Sequence, residues 1–295
     1  MNIQRERVMV FVLLLLLPLQ LFAQAVEHRL SFPHKSNQYV RVVAVFPPTD
    51  GPLELAMPAW TPGSYLVRDF AGHVEKFEAS GPQGRSLAVE KTAKNQWRID
   101  AGGVGPVTIQ YDIWAGELNV STSWVENDYA LLNGAGIFVY SEGSRDLPQV
   151  LTVQLPPEWQ AAVSALEPLP AATSWRARDF DELVDSPVFA GNPREFSFES
   201  GGQSYGLVLA ADSQLWDGAK SAADLQRLVQ AHMEFWEFNP LERKYLFINL
   251  FDGPRGGLEH DHSTVLISSE WGMRDKQDYQ RWLGLASHEF FHVWN

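Results

Sequence analysis

Val107, Ile109, Tyr111 and Ile113 alternate with Thr108, Gln110 and Asp112. Apolar residues at every second position line one face of a strand, whereas on a helix they would scatter around the axis. Leu151, Val153 and Leu155 repeat the pattern, Tyr39–Phe46 is dense in β-branched residues, and 196–198 and 206–210 read as further strands. Turn formers punctuate these runs: Pro47-Pro48, Asp50-Gly51, Pro62-Gly63, Gly102-Gly103 and Gly201-Gly202. From about His28 to Ala211 the expected fold is therefore an antiparallel β-sandwich or saddle-shaped open sheet. One helical turn is expected at 179–184, stopped near Pro187.

Near Ser221 the periodicity changes. Ser221-Ala-Ala-Asp224 fits a capping box, with aspartate in the glutamate role. Leu225, Leu228, Val229, His232 and Met233 follow at helical spacing to about Phe238, and Pro240 ends the run. Residues 244–251 read as a buried strand, 253–257 as a glycine-rich turn, and 263–268 as another strand. A proline-free stretch from Asp278 then carries Trp282, Leu285 and Phe291 near helical spacing, although Gly284 weakens that helix. Helix, strand, turn, strand, helix is an α+β order, so the whole chain is expected to be α+β, with a β domain at 26–212 and a second domain at 213–295.

Arg5 and Arg7, the apolar run from Val8 to Leu17 and the small residues of Ala23-Gln24-Ala25 predict a signal peptide at 1–25. A retained anchor is the rival reading. The apolar core is short for a span, and Pro18 and Gln20 weaken its far end, so no stable membrane anchor is expected after cleavage. With no cysteine, the secreted chain has neither disulfides nor a lipidated thiol. A net charge of −13 argues against nucleic acid as a partner, because phosphate binding needs clustered Lys and Arg.

The last eight residues are His288-Glu-Phe-Phe-His-Val-Trp-Asn295. On a helix, His288 and His292 lie one turn apart on one face and can share one Zn²⁺, with Glu289 beside them as the base that deprotonates the attacking water. The plain alternative is a helix whose two histidines are solvated or packed in the core. A catalytic zinc normally has three protein ligands, so the third is expected outside this sequence, after Asn295.

Four stretches carry a family resemblance: 58–70 (PAWTPGSYLVRDF), 181–188 (DELVDSPV), 256–260 (GGLEH) and 288–295 (HEFFHVWN). In that order they resemble the glycyl aminopeptidase family of zinc metallopeptidases. The resemblance implies an N-terminal β domain followed by the start of a thermolysin-like catalytic domain. It also implies hydrolysis of peptides with a free N-terminus and a small first residue, glycine or alanine. A third ligand, a glutamate on a later helix, and usually a PDZ-type domain would follow. On that footing the chain is a fragment, inactive alone, of a secreted and bacterial periplasmic enzyme.

Gly256-Gly257-Leu258-Glu259-His260 looks like the exopeptidase strand of the wider aminopeptidase group. A sheet edge can pair with an extended peptide, bare glycines permit close approach, and Glu259 can receive the substrate ammonium. The alternative is a glycine turn with a solvated glutamate. His260, Asp261 and His262 are ligand candidates on paper, but strand neighbours face opposite ways. Trp60–Tyr65 reads as a structural turn. Two rivals stay open: a zinc endopeptidase, and a non-catalytic β-rich binding module should Asn295 be the natural terminus.

Overall fold

The computed structural model describes residues 24–61, 63–210, 215–251 and 253–295. All but the last two residues of the expected signal peptide, and the 212/213 boundary, lie outside the described residues. No helix among the described residues is long and apolar enough to cross a membrane.

The alternating segments build an eight-stranded sheet around Val26–His34, Tyr39–Phe46, Val107–Trp114 and Gln149–Gln154. Register explains the pattern. Val42 faces Tyr111 and Ala44 faces Ile109, so the buried residues of neighbouring strands share a side. With the smaller sheet of Leu53–Ala56, Gln96–Ile99 and Val89–Ala93 they fill one apolar core. The Tyr111 hydroxyl, buried there, donates to the Ile137 carbonyl at 2.8 Å.

The expected antiparallel arrangement is corrected at one seam. Val26–His34 runs antiparallel to Tyr39–Phe46 but parallel to Gln149–Gln154. Alternation reports which face is buried and is blind to strand direction.

Sheet membership changes between Gly191 and Arg194, earlier than the sequence suggests. Arg194–Ser200 and Gln203–Leu209 join a five-stranded mixed sheet, because Gln203–Leu209 pairs in parallel with Tyr245–Phe251. Strand composition alone does not say which sheet a strand enters. Tyr245–Phe251 is buried throughout, as expected of a central strand. Ser263–Ser268 follows it in parallel, and Gly256–His260 closes the edge antiparallel to Ser263–Ser268. Part of the expected glycine turn is thus strand.

Among the described residues three α-helices accompany the strands: α1 (Phe180–Val184), α2 (Gly218–Trp236) and α3 (Lys276–Phe291). α2 begins a turn earlier than the capping box predicts. Its cap is Asp217, whose carboxylate accepts from the Lys220 amide at 2.9 Å, and Ser221 lies inside the helix. α2 and α3 cover one face of the five-stranded sheet through Leu225, Val229, Tyr279, Trp282 and Phe290. The opposite face, with Val208, Ile248 and Val265, packs on Leu131 and Phe189 of the sheet formed by Tyr129–Leu132 and its neighbours. The join between the two regions is therefore itself an apolar core.

Candidate active site

α3 is held in place by polar bonds at its buried face. The Trp282 indole donates to Asn249 at 2.8 Å, inside the sheet, and the Tyr279 hydroxyl donates to Asp224 of α2 at 2.7 Å. The helix begins at Asp275, which receives the Gln277 and Asp278 amides at 2.7 and 3.0 Å. Tyr279, Trp282, Ala286 and Phe290 form its apolar stripe, and Glu289 is buried along with them at 4 % exposure. A carboxylate there costs stability unless it is paired or takes up a proton.

His288 is exposed and His292 half-buried at the end of the helix. One ligand atom from each of His288, Glu289 and His292 lies within 4.8 Å of the others. His292 Nδ1 donates to the Asn295 carbonyl at 2.8 Å, which leaves Nε2 for a ligand. Imidazoles that bind metal commonly have the other ring nitrogen tied in this way. The donor set therefore fits a divalent cation such as zinc. Burial raises the Glu289 carboxyl to about 7; the negative Glu259 adds to this, while His292 and His260 act in the opposite direction. A carboxyl in that range can accept and return a proton at neutral pH.

The two glycines of the edge strand differ in role. A Cβ on Gly257 would fall 2.1 Å from Glu289 Oε1, so only glycine leaves room for that carboxylate. Gly256 would meet nothing closer than Val120 at 3.6 Å. Glu259 shares the Gly257 face of the strand by alternation. Its carboxylate lies against Gly63, where a Cβ would approach within 2.7 Å and where φ is +77°. The turn expected to be merely structural thus reaches the site. It is braced by the Trp60 indole, which donates to the Ser64 carbonyl at 2.7 Å.

A cleft of about 520 Å³ runs between the two regions, lined by Trp60, Gly63, Asp185, Glu259, His260 and His292 among others. His260, Asp261 and His262 do not join the His288–His292 group. His260 Nδ1 instead donates to Asp185 Oδ1 at 2.8 Å. Asp185 and Gly63 carry no sequence signal as site residues when taken singly. Their common signal was membership in the four stretches of the resemblance, each of which contributes a residue to this cleft.

Residues 27–192, over half of the chain, match the Peptidase M61 N-terminal domain. The chain belongs to peptidase family M61. Among solved structures, an aminopeptidase N family protein from Idiomarina loihiensis is similar to this M61 chain with a TM-score of 0.85 and 29% identity, over 92% of this chain and 48% of that one. Legionella pneumophila aminopeptidase A, solved with aspartic acid, aligns over 92% of this chain and 34% of its own, with a TM-score of 0.55. At 15% identity that second likeness shows the fold alone. The M61 chain spans about half the length of the first of these structures, and no curated protein matches it.

Proposed function

We propose that this M61 chain carries the N-terminal β domain and the first part of the thermolysin-like site of a secreted zinc aminopeptidase. Its substrates are peptides with a free N-terminus and a small first residue, glycine or alanine. The observation that carries the proposal is the convergence of His288, Glu289 and His292 within 4.8 Å, on a helix laid over the edge strand that bears Glu259.

His288 and His292 would hold the ion together with a third ligand that the family resemblance leads us to expect, so activity is proposed for the full-length protein. Bound zinc supplies Lewis acidity at the scissile carbonyl and lowers the pKa of water toward neutrality. Glu289 takes the proton of the attacking water and passes it to the leaving amine, a task suited to a carboxyl raised to about 7. The backbone of Gly256–His260, at the outer edge of the five-stranded sheet, aligns the extended peptide. Glu259 pairs with the substrate ammonium and so sets the register from the N-terminus. The signal peptide at 1–25 directs the protein to the bacterial periplasm.

In the full-length enzyme, Glu289→Gln is expected to lower kcat by about 10³-fold on alanine p-nitroanilide while zinc content stays at the wild-type level. Undiminished turnover rejects Glu289 as the base. A full-length protein that purifies without zinc and takes up none rejects the metal centre. Equal cleavage of free and acetylated peptides turns the reading to an endopeptidase.

A further inference from the structure

We infer that Asp185, a residue of the N-terminal β domain, is a positioning residue for amine recognition: through His260 it clamps the end of the strand that carries Glu259. The inference rests on the proposed role of Glu259. It adds to that role a partner from the other region of the molecule.

Gly256–His260 is an edge strand, hydrogen-bonded to Ser263–Ser268 on one side. An edge strand has half the backbone restraint of a central one, and a recognition carboxylate on it needs another source of rigidity. Asp185 supplies it with both oxygens. Oδ1 accepts from His260 Nδ1 at 2.8 Å, and Oδ2 accepts from the Asp261 amide at 2.9 Å. The two donors are the residues immediately after Glu259, so this carboxylate sets where the strand ends. Bonds to an ionised acceptor are about twice as strong as neutral ones. The His260 side chain is fully buried, which leaves its ring no freedom to release the bond by rotation.

Asp185 is itself fixed. It caps the C-terminus of α1, and its amide donates to the carbonyls of Asp181 and Leu183. The same helix makes a second tie to the sheet, the ion pair of Glu182 with Arg243, just before Tyr245–Phe251. Glu259 is thus held between two contributions of the β domain: the bare Gly63 backbone against its carboxylate, and Asp185 on the residues that follow it. A purely structural tie would affect folding or overall rate. A positioning tie at this place must alter the distinction between a free and a blocked amine.

The test uses the full-length enzyme with Asp185→Asn, which keeps the shape, and Asp185→Ala, which removes both acceptors. Alanine p-nitroanilide and its N-acetyl analogue are compared, with zinc content, Tm and hydrogen exchange of residues 256–261. The expected result is a rise of about tenfold or more in KM for the free amine, with kcat changing far less. Preference for the free over the blocked substrate falls to match, zinc stays bound, and exchange accelerates at 256–261 ahead of the central strands. The Asn variant should lose less than the Ala variant. Should the Ala variant fail to fold, the Asn variant decides by the same ratio. Wild-type preference in a folded Asp185 variant overturns the inference, as does an equal kcat loss on both substrates. If Glu259→Gln abolishes the preference while the Asp185 variants retain it, Asp185 alone is excluded. A wild-type enzyme with no preference defeats the Glu259 reading itself.

Discussion

Two buried carboxylates, one in each region, meet opposite treatment. Asp112, in the eight-stranded sheet, is 1 % exposed. Burial works to raise its carboxyl, but Arg41 at 2.7 and 3.0 Å and Lys76 at 3.0 Å hold it below the usual carboxylate range. Glu289, in α3, is buried beside the like charge of Glu259 and is eased by histidines alone, so its carboxyl is raised to about 7. A buried charge matched by cations serves architecture. One left poised near neutrality, beside two histidines one helical turn apart, is a candidate for chemistry. Asp112 thus closes the eight-stranded sheet, as Asp224 does for α2 and α3, whereas Glu289 has no cation of that kind beside it.

The harshest challenge to that division is removal of Phe290, which has no exposure and whose ring meets Tyr205, Tyr245, Phe247 and Trp294. Phe290→Ala should cost about 3–5 kcal/mol in urea unfolding. Because the sheet beneath it packs with its other face on the β domain, one cooperative transition is expected. A separate early transition would show that the regions unfold independently.

Next in size is an opposed pH dependence in metal-free protein. Burial lowers His28 to about 4 against an ordinary 6.5, partly offset by its bond to Gln149. Between those values the unfolded chain binds the extra proton, so stability is full above about 6.5 and falls as pH drops toward 4, by ~3 kcal/mol. Glu289 has the reverse sign. Its raised folded value gives a contribution that is present below about 4.5 and lost as pH rises through about 7. Urea midpoints from pH 4 to 8 should lose the acid-side slope in His28→Gln and the base-side slope in Glu289→Gln. Profiles parallel to wild type would dissolve the contrast between the regions.

The smallest expected effect sharpens the picture of α3. A Cβ on Gly284 meets nothing within 4 Å, so Gly284→Ala should stabilise the protein by about 0.5–1 kcal/mol, read as a higher Tm. A loss of stability would mean that the helix needs that backbone freedom.

What the sequence disclosed followed from periodicity and spacing. Alternation identified Val107–Trp114 as a strand with one buried face, and the two histidines four apart implied the helix that α3 provides. Contacts across long loops left no such trace. The parallel seam of Val26–His34, the entry of Gln203–Leu209 into the second sheet and the meetings of Gly63 with Glu259 and Asp185 with His260 all join distant segments. No local pattern encodes such a meeting. The start of α2 was missed for another reason: Asp217 and Ser221, one turn apart, are both good caps, and the structure uses the earlier one.

The parallel seam also dictates an order of assembly. His28 and Gln149, 121 residues apart, are joined by a side-chain bond across it. During synthesis the segment at 26–34 emerges early, while its neighbour at 149–154 arrives only after most of the β domain has appeared. Until then one flank of this alternating strand presents naked amides and carbonyls to any other nascent chain. The first strand made is among the last to be satisfied, and chaperone demand should peak in that interval.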